Sequence, residues 1–401
     1  MELRDIASLV QPSDRKVVLL VLDGLGGLAR ETGGPTELEA AATPELDALA
    51  RAGGCGLHEP VAPGVTPGSG PGHLALFGYD PLRYRIGRGV LEALGVDFDL
   101  RDTDVAARGN FCTLDHDGRV ADRRAGRIST DDARPLVELL DEIEVEGVEV
   151  LVRTVKEHRF LLVLRFPEPV GADVSATDPG RTGEAPARPE AGDEASEPAA
   201  RAARAWLEAA RERLAGRPEA DMVLLRGFSR RPGWPSFPEV FGMRSTAVAA
   251  YPMYRGVARL VGMDAAAVGG GPESVIPAAA ERLAGHDFVF AHVKGTDRAG
   301  EDGDFDGKVA IIEEADARVP TLLEAGADVL LVTGDHSTPS VMRRHSWHSV
   351  PFLLSGGEGR RGPAVSFGES ACAGGVHGLR RGRDLMPLAA ARAGRLAKFG
   401  A

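Results

Sequence analysis

VVLLVLDG, Val17 to Gly24, is an unbroken run of branched and aliphatic residues that stops at Asp-Gly. Apolar at every position instead of every other one, such a run suits a strand covered on both faces, as in a parallel sheet. Asp23 then stands at the strand's carboxyl end. Two later runs have the same form: FVFAHVKGTD (Phe288 to Asp297) and ADVLLVTGDH (Ala327 to His336) each close in a polar, glycine-containing turn. Helical stretches such as TPELDALARAG (43–53) and DGKVAIIEEADARVPTLLEAG (306–326) separate or follow them. This is the alternation of a mostly parallel sheet flanked by helices, an α/β class. In open α/β sheets the loops at the carboxyl ends of strands carry the site. Asp23, Asp297, Asp335 and His336 all fall there.

Between about residue 100 and residue 255 the rhythm changes. RGNFCTLD (108–115), VEVLVRTV (148–155) and RFLLVLRF (159–166) read as hairpin strands of a smaller α+β insertion. Within it, Gly171 to Ala200 is rich in Pro, Gly, Ala and Glu and buries little apolar surface, so it reads as a mobile excursion. AARAARAWLEAARERLAG (199–216) is a helix ended by Gly216. A chain of 401 residues exceeds one ordinary core. The expected division is a discontinuous catalytic domain, 1–100 with 256–401, around an inserted domain at 101–255.

The formal net charge of -12 argues against a nucleic-acid partner, which needs a dense positive surface. A small anionic substrate met by local arginines remains compatible. Cys55, Cys112 and Cys372 have no paired spacing and read as small buried thiols. MELRDIASLVQPSDRK lacks the apolar region of a signal peptide, and Val17 to Leu22 is far below the ~20 residues of a membrane span. The expected address is cytoplasmic, with no membrane partner.

Asp23, Asp297 with Glu301, Asp335-His336 and His345 offer mixed carboxylate and imidazole ligands, which suit Mn²⁺ or Zn²⁺ better than Ca²⁺. Asp297 and Glu301 are four apart and could share an ion if their turn is helical. Adjacent Asp335 and His336 could reach two ions at once. Paired ions about 3.5–4 Å apart stabilise both oxygens of an in-line displacement. In VTPGSGPGHLALFGYDP (65–81), Ser69 stands in a Gly/Pro-rich turn before an apolar stretch, where it opens a helix as nucleophile or serves simply as its N-cap. His73 would share its helix face, and alone it reads as a hydrogen-bonded structural histidine. Arginines cluster in DRRAGR (122–127) and YRGVARLVG (254–262), where Arg255 and Arg259 are a helical turn apart. Guanidinium forks match phosphate and carboxylate oxygens, though exposed arginines often only solvate a surface.

With these segments in order, together with LVLDGLGG, GRGVLEALG, EHRFLLVLR, SATDP, PMYRGVARLVGM, VTGDHSTP and RGRDLMPLA, the chain resembles the archaeal-type cofactor-independent phosphoglycerate mutases of the alkaline-phosphatase superfamily. The resemblance runs nearly end to end. It implies an alkaline-phosphatase-like domain split by an inserted substrate-binding domain. Ser69 would be transiently phosphorylated, sharing one ion with Asp23, Asp335 and His336. Asp297, His345 and Glu301 would hold the other. Asp122, Arg123, Arg124, Arg255 and Arg259 match positions that hold the glyceric acid and its phosphate. The implied cofactors are two divalent ions, Mn²⁺ ahead of Mg²⁺ or Zn²⁺. The implied reaction exchanges 2-phosphoglycerate and 3-phosphoglycerate through a phosphoserine, with no diphosphorylated cofactor.

The sequence departs from the family pattern at Gly70 (usually Asp), Pro71-Gly72 (usually Thr-Ala), Glu301 (usually His) and Trp347-His348 (usually Gly-Asp). Two other readings stand beside the mutase. One is a related phosphotransferase or hydrolase acting on another small phosphorylated or phosphonate compound. The other is a binding protein that has lost catalysis.

Overall fold

The computed structural model describes residues 1–400. Its strands, numbered along the chain, are β1 (Val17–Leu22), β2 (Gly54–Glu59), β3 (Asp104–Leu114), β4 (Val120–Asp122), β5 (Glu149–Lys156), β6 (Arg159–Arg165), β7 (Met222–Ser229), β8 (Ser245–Ala249), β9 (Asp264–Ala266), β10 (Phe288–Val293), β11 (Val329–Thr333), β12 (Val350–Gly356) and β13 (Gly378–Arg381). They divide between two compact units, 1–85 with 234–401, and 86–233.

The larger unit is built on one sheet in the order β13-β2-β12-β11-β1-β10-β8-β9. The centre is parallel: β1 lies between β11 and β10, and β8 continues on the far side of β10. Only β12 runs against its neighbours β11 and β2. Every residue of β1, β8, β10 and β11 is buried, as expected for strands covered by helices on both faces. One layer of the core joins Val18, Leu20 and Leu22 to Val289, Ala291, Leu330 and Val332, with Leu46, Ile276, Ile312 and Leu322 arriving from helices. The α/β class read from Val17 to Gly24 is therefore the class observed.

The inserted unit is an antiparallel sheet, β4-β3-β6-β5 with β7 also on β3. Alternate residues of β3 and β6, among them Val105, Ala107, Phe111, Phe160, Leu162 and Leu164, face the helices Thr130–Asp141 and Glu197–Leu214. Trp206 sits fully buried in that layer.

The units part at 85/86 and 233/234, whereas the sequence suggested 100/101 and 255/256. The helix Arg88–Gly95 buries Val90, Ala93 and Leu94 within the inserted unit. Gly89 lets it approach closely, since a Cβ there would lie 2.0 Å from the Ala106 carbonyl oxygen. At the other end, β8 belongs to the large sheet, pairing Ser245 with Phe288. Residues 171–200, expected as a mobile excursion, are laced to the insertion. Thr177 N–H donates to the Leu225 carbonyl (2.8 Å), Leu225 N–H donates to Thr177 Oγ1 (2.8 Å), and Val174 bridges Ala191. The following helix begins at Glu197. Among the described residues no helix is long and apolar enough to cross a membrane.

Candidate metal centre

The parallel register aligns the carboxyl ends of β11, β1 and β10, pairing Val21 with Thr333 and Leu22 with Val293. Asp23 leaves β1 there, its N–H donating to the Val293 carbonyl (2.9 Å). Asp297 stands on the helix Gly295–Asp302 that follows β10, and Asp335 and His336 open the loop after β11. Ser69 is the first residue of the helix Ser69–Leu76. That helix lies against the Asp335 loop, where a Cβ on Gly72 would be 2.5 Å from the Asp335 carbonyl oxygen.

Two groups of side chains bring ligand atoms within 4.8 Å of one another: Asp23, Asp335 and His336, and Asp297, His336 and His345. Hydrogen bonds fix how the imidazoles face them. Thr338 Oγ1 donates to Asp297 Oδ1 (2.7 Å) and lies 2.9 Å from His336 Nδ1. With its one proton given to the carboxylate, the hydroxyl accepts from His336, so Nδ1 carries the ring proton. His336 Nε2 then turns a lone pair toward Asp23 Oδ1 and Asp335 Oδ2, each 3.3 Å away, with Ser69 Oγ at 3.5 Å. Asp23 Oδ1 is buried without a hydrogen-bond donor, while Asp335 Oδ2 has His73 Nδ1 at 3.2 Å, a nitrogen that also bonds the Ser69 carbonyl. His345 repeats the pattern. Its Nδ1 donates to the Pro67 carbonyl (3.0 Å), leaving Nε2 to face Asp297 Oδ1 at 3.5 Å. Carboxylate oxygens of Asp23, Asp335 and Asp297 thus converge with imidazole nitrogens of His336 and His345, an arrangement that a cation satisfies. The residues therefore fit divalent ions.

Glu301 falls outside both three-residue groups. It shares the helix of Asp297, but its side chain is 53% exposed and Oε1 lies 3.8 Å from His345 Nε2. The third member of the Asp297–His345 group is His336, not Glu301.

Several residues around the centre were not singled out from the sequence. Lys294 Nζ reaches both Asp297 Oδ2 (2.5 Å) and Asp23 Oδ2 (3.2 Å). His292 Nε2 lies 3.0 Å from Asp23 Oδ2, and its ring stacks on Tyr254 with centroids 3.8 Å apart. Burial pushes the Asp23 carboxyl up, but His292, His336 and Lys294 outweigh it and hold the group well below the usual carboxylate range. His73, weighed as a structural histidine, is fully buried and hydrogen-bonded to the Ser69 carbonyl (2.8 Å), with Asp335 Oδ2 at 3.2 Å. Burial alone would lower its pKa, yet Asp335 and Asp23 raise it overall. His292 and Lys294 lie inside FVFAHVKGTD itself. Their position just before Asp297 was the available signal.

The arginines are less uniform than their motifs suggested. Arg255 and Arg259 do share the helix Pro252–Leu260, but Arg255 is buried and donates to the carbonyls of Ala249 (3.0 Å) and Ala250 (2.5 Å). In the inserted unit Arg123 forks onto Asp178 with both contacts at 2.8 Å, while Arg124 is exposed. Asp122 accepts the N–H groups of Arg124 (2.8 Å) and Gly126 (2.7 Å) and so closes its own turn.

A mostly parallel sheet with acid and imidazole side chains gathered at its strand ends defines an α/β protein with a candidate metal centre. Comparison with known proteins narrows this. A family model described as 2,3-bisphosphoglycerate-independent phosphoglycerate mutase matches residues 50–219. A Thermus thermophilus protein named as a probable enzyme of that kind is 50% identical over 401 residues, covering 99% of this chain and 98% of its own. One from Aquifex aeolicus is 45% identical over 405 residues, covering 99% of each. Among solved structures, a Pyrococcus horikoshii protein superposes with a TM-score of 0.77 at 31% identity, covering 96% of this chain and 99% of that one. The cofactor-independent phosphoglycerate mutase of Thermoplasma acidophilum gives 0.77 at 28% identity, covering 94% and 100%. The chain belongs to the family of 2,3-bisphosphoglycerate-independent phosphoglycerate mutases.

Proposed function

We propose that this enzyme interconverts 2-phosphoglycerate and 3-phosphoglycerate by metal-dependent phosphoryl transfer through Ser69, without a diphosphorylated cofactor. The observation that carries the reading is the placement of the Ser69 hydroxyl beside the buried group formed by the carboxylates of Asp23 and Asp335 and by His336 Nε2. In this reading Asp23, Asp335, His336 and Ser69 hold one ion, and Asp297, His345 and Glu301 hold the other. When bound, such ions lower the pKa of a coordinated hydroxyl and offset charge on the transferring phosphoryl group. The mixture of carboxylate and imidazole favours Mn²⁺, with Mg²⁺ or Zn²⁺ as alternatives.

The protein's own part is positional. The helix that begins at Ser69 presents its oxygen and free N–H groups to the phosphoryl group. His73 ties the Ser69 carbonyl to the Asp335 side chain, so nucleophile and ligand loop keep their spacing. Lys294, bound to the outer oxygens of Asp23 and Asp297, turns their other oxygens inward and brings a positive charge to the open side. Ser69 attacks the phosphorus and the substrate oxygen departs; the other hydroxyl of the retained glycerate then takes the group back. Asp122, Arg123, Arg124, Arg255 and Arg259 are assigned to the glyceric acid and its phosphate on their motifs.

The test is an enolase-coupled assay with 3-phosphoglycerate, supplemented in turn with Mn²⁺, Mg²⁺ and Zn²⁺ and with no bisphosphoglycerate. Phosphate release is followed alongside. Isomerisation well in excess of phosphate release is expected. Predominant phosphate release would make the enzyme a hydrolase, and silence with every metal would remove the reading.

A further inference from the structure

Lys308 is fully buried in the helix Phe305–Asp316, and its ammonium donates to the carbonyls of Gly24 (2.9 Å), Gly26 (3.1 Å) and Thr338 (3.0 Å). An ammonium has three protons and no acceptor, so these carbonyls use its whole capacity. Gly24 and Gly26 belong to the loop that leaves Asp23, and Thr338 to the loop that begins with Asp335 and His336. Glu37, also fully buried, ties the same loops a second time: Oε2 accepts the Leu28 N–H (3.1 Å) and Oε1 the Ser340 N–H (2.7 Å). Two buried charges thus fix the backbone on which the ligands of the centre stand.

Thr338 is where this frame meets the ligands. Its carbonyl is held by Lys308 and its N–H donates to the Gly26 carbonyl (3.0 Å), so the residue has little freedom to shift. From that fixed point its hydroxyl touches a member of each ligand group, Asp297 Oδ1 at 2.7 Å and His336 Nδ1 at 2.9 Å. It thereby selects which nitrogen of His336 keeps a lone pair and sets how far Asp297 stands from His336. Groups that orient ligands in this way commonly alter metal affinity when removed.

We infer that Thr338 is a positioning residue that couples the two ion sites, its hydroxyl fixing the His336 tautomer and the Asp297 spacing so that the ions bind as an interacting pair. This rests on the metal-dependent reading above. Without the hydroxyl, the inward oxygen of Asp297 loses its donor and the Nδ1 proton of His336 loses its acceptor. Either ring nitrogen of His336 can then carry the proton, and the two groups are no longer held in register.

The test uses full-length, metal-free protein titrated with Mn²⁺ by calorimetry and followed by electron paramagnetic resonance. Thr338→Val keeps the side chain's shape and removes the hydroxyl; Thr338→Ala removes it without a replacement methyl, and Thr338→Ser restores it. Cooperative melting of each metal-free variant shows that it is folded. The wild type is expected to give an exchange-coupled manganese pair. Thr338→Val and Thr338→Ala should bind about 10–100-fold more weakly and show isolated ions at the loading that pairs them in wild type, with Thr338→Ser recovering the coupled signal. A coupled pair at wild-type affinity in Thr338→Val, or a Thr338→Ser variant as impaired as the valine, overturns the coupling role alone. A wild type that forms no pair overturns the two-ion reading and the coupling role together.

Discussion

At Ser69 the hydroxyl oxygen lies 3.5 Å from His336 Nε2, and its removal leaves Asp23, Asp335 and His336 in place. Ser69→Ala is therefore expected to abolish isomerisation, by a factor on the order of 10⁴ or more as for other covalent nucleophiles, while Mn²⁺ still binds. Assay and calorimetry on the same preparation decide it, and near-normal turnover would rule out a phosphoserine. His58 makes a different prediction from the same loop. Its Nε2 meets Thr333 Oγ1 (3.0 Å) and the Gly334 carbonyl (3.1 Å) just before Asp335, and burial pushes its pKa down to about 4. A folded-state pKa below the unfolded value of about 6.5 means that the unfolded chain binds the extra proton first. Stability is then complete above about pH 6.5 and falls as the pH drops toward 4, by an order of 3 kcal/mol. Metal-free wild type should lose melting temperature across that window more steeply than His58→Gln, and parallel pH profiles would contradict this.

At the scale of elements, the helix Gly295–Asp302 shows how a backbone approach sets ligand geometry. A Cβ on Gly300 would lie 2.3 Å from the Thr338 carbonyl oxygen and 2.9 Å from its Cγ2. Gly300→Ala must push the helix away from Thr338, lengthening the Asp297 contact. The expected cost is about 1–3 kcal/mol of stability, typical of overpacking, with weaker Mn²⁺ binding on the Asp297–His345 side. Unchanged melting and titration would show that the helix yields freely. The spacing of Asp297 and Glu301 was legible from four residues of sequence, and the helix it required is present. What spacing could not reveal is that Asp297 faces inward at 1% exposure while Glu301 stands at the exposed rim. The buried run of β1 announced its place because a strand covered on both faces needs no alternation. GRGVLEALG reads as a helix in either unit; only the surface that received Val90 and Leu94 could assign it to the insertion. In residues 171–200 composition was misleading for a related reason: the partners that hold the segment, such as Leu225 and Val120, come from elsewhere in the insertion. His336 reaching both ligand groups likewise depends on Thr338, two residues on, whose side chain looks ordinary in sequence.

For the whole molecule, the decisive feature is that the candidate ligands and the cores are partitioned. Asp23, Asp297, Asp335, His336 and His345 all belong to the unit formed by 1–85 and 234–401. That unit has its own apolar core around Val18, Leu20, Val289 and Leu330. The inserted unit is built around a separate core that includes Phe111, Phe160, Leu162 and Trp206. A ligand that binds only the folded form stabilises by RT ln(1 + [L]/Kd), about 2.7 kcal/mol per ion at a hundredfold excess over Kd. For a unit of this size about 1 kcal/mol moves the midpoint by roughly 2–4 °C, so each ion should raise melting by about 5–10 °C. Chelation is accordingly expected to lower one transition in scanning calorimetry, that of the larger unit, and leave the other near its place. Hydrogen exchange assigns the two: β1, β10 and β11 should lose protection when Mn²⁺ is removed, whereas β3 and β6 should keep theirs. Equal loss in both units would mean that they unfold as a single cooperative block, and no loss in either would mean that the carboxylate and imidazole groups do not hold the ions.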